Sequence, residues 1–170
     1  KYNRWKSKDD NNYLDNYLLS VRMADYLRAR NDVRGIYLFG ASRSGPIAIV
    51  TAALDSTQIV AVDAHVPTSC GLSLKDKPYR GWGSGPARKP DAAYFDPLNF
   101  APDLTVPVLI DCGDRDGLSP APGIVATANW AANSPWVRCS VEKGGHGYFR
   151  NNLRPRMREE LAEYLKTAPP

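Results

Sequence analysis

Histidine is scarce in this chain: there are two, His65 and His146, so chemistry that needs an imidazole has two places to draw on. Cysteine is nearly as scarce. Cys70, Cys112 and Cys139 are odd in number and far apart, which fits neither a metal-ligand spacing nor a disulfide framework, so they read as buried free thiols. No apolar run is long enough to cross a bilayer, and Lys1-Tyr2-Asn3-Arg4-Trp5-Lys6 lacks the apolar centre of a signal peptide. No membrane partner is therefore expected. The chain does not open on Met, so its natural start is expected elsewhere, and the compartment, cytoplasmic or secreted, stays open. There is no internal repeat, and self-association is left open.

The formal charge of +4 comes partly from Lys75, Lys77, Arg80, Arg88 and Lys89, which face only Asp76. Only Tyr79 and Trp82 are interleaved with them and no nucleic-acid module accompanies them, so the segment reads as a solvated loop and no nucleic-acid partner is expected.

What is present is the material of one soluble globular domain, 43% hydrophobic and 24% charged. From Asp10 to about Arg30, Leu14, Tyr17, Leu18, Val21, Ala24 and Leu27 recur at helical spacing, with Asp9, Asp10 and Asn11 as available caps. Ile36-Tyr37-Leu38-Phe39 reads as a strand, and Ser44 to Leu54 as a helix that tolerates Pro46 in its first turn. Further strands are expected at Ile59 to Ala64, Val106 to Ile110 and Trp136 to Val141, with helices at about Pro122 to Ala132 and Tyr148 to Lys166. Near-continuous apolar strands alternating with helices imply an α/β fold, a mostly parallel sheet with helices on both faces. Residues 68–105 form a long Gly- and Pro-rich stretch that reads as a lid or loop insertion within a single domain portion spanning 1–170.

Ser42 lies in Leu38-Phe39-Gly40-Ala41-Ser42-Arg43-Ser44-Gly45, directly between a strand and a helix. Such a turn strains the serine backbone and requires small residues two before and two after it, which Gly40 and Ser44 supply. Ser44 is the poorer nucleophile because Pro46 follows it by two. Asp116, in Gly113-Asp114-Arg115-Asp116-Gly117, and His146, in Gly144-Gly145-His146-Gly147, come next in the order nucleophile, acid, histidine used by α/β-hydrolases. A serine hydroxyl needs a base to take its proton and an acid to orient that base. The Arg43 backbone N–H, first after the nucleophile, would serve the oxyanion. Asp111 and Asp114 compete with Asp116 for the acid's place, and His65 with His146 for the base's. Trp82 and His65 are candidate substrate contacts. No metal or organic cofactor is required.

Around these residues the sequence resembles the acetyl xylan esterase and cephalosporin C deacetylase family of α/β-hydrolases. The resemblance rests on the helix followed by Gly35 to Ser42, on Tyr94-Phe95-Asp96-Pro97-Leu98-Asn99-Phe100-Ala101, and on Asp116-Gly117-Leu118-Ser119-Pro120, with a weaker echo at Val66-Pro67 and Cys70. It spans roughly residues 15–150. Where the family tends to have Ser-Gln-Gly-Gly and His-Glu, this chain has Ser42-Arg43-Ser44-Gly45 and His146-Gly147. The resemblance implies removal of acetyl groups from acetylated carbohydrates or small acetate esters through an acetyl-serine. It also implies that the chain corresponds to the C-terminal half of the domain, with the remaining strands and a second oxyanion donor expected from a segment upstream. A serine peptidase of the prolyl oligopeptidase type, or a catalytically silent binding protein of the same fold, are the alternatives.

Overall fold

A computed structural model describes residues 5–72, 90–147, 149 and 153–168. The chain opens on a short antiparallel pair, β1 (Trp5–Ser7) and β2 (Asp10–Asn11), that the sequence reading did not anticipate. Its turn is tied by Ser7, whose hydroxyl oxygen accepts from the N–H groups of Asp9 and Asp10. Asn11 then caps α1 (Asn12–Arg28), its side-chain oxygen accepting from the N–H groups of Tyr13 and Leu14.

Four strands form the main sheet: β3 (Ile36–Ala41), β4 (Ile59–His65), β5 (Val108–Gly113) and β6 (Val137–Glu142), all parallel and side by side in chain order. α2 (Gly45–Leu54) joins β3 to β4, and α4 (Ala121–Trp130) joins β5 to β6. Right-handed crossovers in a sheet that advances one place at a time put every connecting helix on one face. Buried side chains agree. Ala48, Ile49 and Ala52 of α2, Ile124 and Ala128 of α4, and Ala24 of α1 share one cluster with Val62, Val108 and Ile110. The last helix, α5 (Arg154–Thr167), closes the other face with Met157 and Leu161 against Ala61 and Leu109.

Some boundaries differ from expectation. β5 begins at Val108, because Pro107 has no N–H to give the ladder and contributes only its carbonyl, to the Val62 N–H. α5 begins at Arg154 rather than Tyr148, which keeps Pro155 in the first turn, where its missing N–H breaks no helical bond. Leu18, expected on the buried face of α1, is exposed; Tyr17 and Ala24 are the residues of that helix that go fully inside.

The 68–105 stretch lies partly outside the described residues, and its second part is helical rather than extended loop. A 3₁₀ turn (Pro90–Phe95), α3 (Pro97–Phe100) and a second 3₁₀ turn (Ala101–Asp103) follow one another there. Within the Tyr94 to Ala101 run, Phe95, Leu98 and Ala101 are buried while Tyr94 is exposed. Phe95 joins Tyr17 and Val50 in a small core, with its carbonyl accepting from the Tyr17 hydroxyl at 2.9 Å. Buried Asp96 caps α3 and also accepts from the Gly71 N–H at 2.8 Å, tying the segment after β4 to this helix. No helix among the described residues is long and apolar enough to cross a membrane.

Candidate active site

Ser42, His65, Asp116 and His146 sit at the C-terminal end of the strands, where an open α/β sheet leaves its crevice. The turn after β3 is the most constrained. Ser42 adopts φ 52°, a left-handed conformation that an L-residue holds only when its surroundings compel it. A methyl group on Gly40 would fall 2.1 Å from the Ser44 carbonyl oxygen, so only glycine fits there. Ser44, in the place where the usual motif has a second glycine, closes the turn with its hydroxyl. Its Oγ accepts from the Ala41 N–H at 2.9 Å and donates to the Ala41 carbonyl at 2.8 Å. Below the turn, a methyl group on Gly45 would meet Pro67 at 2.6 Å, and the Ser42 carbonyl accepts from the Thr68 N–H at 3.0 Å.

Ser42 Oγ lies 2.7 Å from His146 Nε2, and His146 Nδ1 lies 2.7 Å from Asp116 Oδ2. An ionised carboxylate only accepts, so Nδ1 carries the proton and Nε2 is left to accept from the serine hydroxyl. The other Asp116 oxygen accepts from the N–H groups of Leu118 at 2.8 Å and Ser119 at 2.9 Å, which fixes the carboxylate. It is largely buried, and the histidine side chain is only a quarter exposed.

The two competing acids have other partners. Asp114 accepts from the Gly144 N–H at 2.9 Å, and the neighbouring Arg115 N–H donates to the Gly144 carbonyl, so this pair grips the start of the histidine loop. A bridge between Gly144 and Phe149 pinches the loop shut around His146. Asp111, on β5 and fully buried, pairs with the other histidine: His65 Nδ1 lies 2.7 Å from Asp111 Oδ1. The register explains this, since His65 and Asp111 are direct neighbours across β4 and β5. Asp111 also accepts from the Val66 N–H and from Arg154. Arg43 is exposed beside the nucleophile, and Trp82 lies outside the described residues.

The network under the sheet ends was missed from sequence. Arg154, at the start of α5, is buried and bonds both Asp111 and Asp63, and Arg158 adds a second bond to Asp63 at 2.7 Å. The Tyr37 hydroxyl donates to the same carboxylate at 2.8 Å. Burial pushes the Arg154 guanidinium down to about 10, which leaves it charged at neutral pH between its two carboxylates. A signal for this existed: an aspartate inside the apolar run Ile59-Val60-Ala61-Val62-Asp63-Ala64 needs a buried cation from elsewhere in the chain. Burial also holds Cys112 up at about 12 and Cys139 at about 11, which keeps both thiols protonated and unreactive.

No family model matches the chain. It is 31% identical over 122 residues to the acetyl esterase Axe7A of Xylanibacter ruminicola, a match that takes in 65% of this chain and 28% of that protein. The solved acetyl xylan esterase from Paenibacillus sp. R4 superposes with a TM-score of 0.70 at 21% identity, over 92% of this chain and 53% of that one. The acylaminoacyl peptidase of Pyrococcus horikoshii superposes with a TM-score of 0.60 at 19% identity, over 85% of this chain and 26% of that one. The chain therefore spans between about a quarter and about half the length of these proteins. The fold is thus that of the α/β-hydrolases, and the sequence is similar to that of an acetyl esterase.

Proposed function

We propose that the chain carries the nucleophile, base and acid of a serine esterase that removes acetyl groups from acetylated carbohydrates, such as xylan or its oligosaccharides, or from related small acetate esters. The observation that carries this reading is the unbroken chain from Ser42 Oγ through His146 to Asp116, with both links at 2.7 Å. Ser42 Oγ attacks the ester carbonyl carbon while His146 Nε2 takes the hydroxyl proton. Asp116 stabilises the imidazolium and holds its tautomer. The carbonyl oxygen becomes an oxyanion at the start of the Ser42–Ser44 turn, where first-turn N–H groups have no helical acceptor, and the Arg43 N–H is its donor. Collapse breaks the bond to the alcohol oxygen, which leaves with the proton from His146. Water, deprotonated by the same nitrogen, then attacks the acetyl-serine carbonyl carbon; the bond to Ser42 Oγ breaks, Oγ takes the proton back from His146, and acetate leaves.

Trp82 is proposed as a sugar contact, since an indole face suits the apolar side of a pyranose ring. No step needs a metal or organic cofactor. The test is hydrolysis of a chromogenic acetate, a chromogenic butyrate and a proline-containing amide by the full protein. Acetate should be cleaved well, butyrate poorly and the amide not at all. Amide cleavage without ester preference would favour the peptidase reading, and no turnover of any of the three would favour a binding protein.

A further inference from the structure

His65 and Asp111 form a second histidine–carboxylate pair, and it lies against the loop that carries the first. His65 Nδ1 is committed to Asp111, at 2.7 Å from one oxygen and 3.0 Å from the other. That leaves the outer edge of the ring, with Nε2, facing the histidine loop. A methyl group on Gly147 would lie 3.3 Å from Nε2, so the backbone next to His146 runs close past this edge. Phe149, which closes the loop through its bridge to Gly144, sets its ring edge-to-face with His65 at 5.6 Å between centroids and 79° between planes.

We propose that His65 is a positioning residue for His146, a stop on which the far side of the catalytic loop rests. The proposal builds on the esterase reading above and assigns His65 a place behind the base instead of in contact with substrate. The loop is gripped on its near side by Asp114 and Arg115 through Gly144. On its far side the ring of His65 is what Gly147 and Phe149 rest on. The stop is itself fixed from below, since Asp111 holds the ring and Arg154 holds Asp111 against Asp63. Gly147 fits this arrangement for two reasons. It has φ 73°, which glycine adopts freely, and a larger residue there would press its first carbon towards the His65 ring.

A base displaced by about 1 Å is out of hydrogen-bond reach of the nucleophile, and misplacement of that size can cost about a hundredfold in rate. The test compares His65→Asn with the parent and with His146→Ala, in the full protein. Asparagine places an amide N–H where Nδ1 stood, so Asp111 keeps a donor and the fold its support, but the outer part of the ring is gone. Turnover of a chromogenic acetate is expressed per site titrated by a fluorophosphonate, so that misfolded protein drops out. The expected result is an unchanged Tm, kcat per titrated site lower by about tenfold to a hundredfold, and KM within about twofold. Phe149→Leu should lower kcat in the same sense, and the double variant should be no slower than the worse single. Full kcat per titrated site in His65→Asn would overturn the proposal while leaving the esterase reading intact. Undiminished activity in His146→Ala would instead remove the reading on which both rest.

Discussion

Ser44 makes the argument at the scale of a single residue. Smallness alone is what the sequence asks of that position, yet its hydroxyl bonds both the N–H and the carbonyl of Ala41 and so locks the turn that presents Ser42. Ser44→Ala should therefore cost about 0.5–1.5 kcal/mol of stability. It should keep most of the acetate release, as read by denaturant midpoint and chromogenic assay. Loss of activity as deep as in Ser42→Ala would mean that the nucleophile has been misassigned. The three-residue set Ser42, Asp116 and His146 was legible because its order, its glycines and the scarcity of histidine all pointed one way. What was not legible was the division of labour among Asp111, Asp114 and Asp116. All three flank the same strand end, and only the path of the loop decides that Asp114 meets Gly144 while Asp116 meets His146.

At the scale of elements, β4 and β5 could be read from apolar runs because buried parallel strands carry little else, whereas β3 and β6, at the ends of the strand order, are partly exposed and β6 carries Arg138, Ser140 and Glu142. Helix ends were harder. α5 starts six residues later than its apolar pattern suggests, since the pattern does not register that Pro155 suits only a first turn. Which cation answers the buried aspartates could not be read either, because Asp63, Asp111 and Arg154 are far apart in sequence and meet only when α5 docks. The docking yields a prediction. Arg154→Ala would leave fully buried Asp111 without a guanidinium and fully buried Asp63 with Arg158 alone, so the chain should lose about 3–5 kcal/mol, the usual cost of breaking a buried pair by removing one partner. Urea unfolding measures it. A loss under about 1 kcal/mol would mean that Arg158 and the Tyr37 hydroxyl suffice to compensate Asp63, and that α5 is held by Arg158, Met157 and Leu161 without Arg154.

For the whole molecule, the winding of the sheet is what turns a sequence order into a site. Because the four strands are parallel, each delivers the residues at and after its end to the same edge: Ser42 after β3, His65 at the end of β4, Asp116 past β5 and His146 past β6. Three of these side chains meet within two hydrogen bonds, and the fourth, His65, lies against Gly147 and Phe149. β3 lies at the end of the strand order among the described residues, with Tyr37 and Phe39 exposed on the face that α5 covers. The guanidinium groups of Arg154 and Arg158 lie over the Phe39 ring at 5.5 and 5.1 Å, so the same cations that hold Asp63 also shield this part of the sheet. The measurement that bears most directly on the esterase reading is the site of covalent capture. The full protein is treated with a fluorophosphonate, and the adduct is located by peptide mass spectrometry, alongside His146→Ala and Ser44→Ala. The expected result is one adduct, on Ser42, formed at most of the parent rate in Ser44→Ala and slowed by orders of magnitude in His146→Ala. An adduct on another serine, or labelling of Ser42 that does not depend on His146, would contradict it.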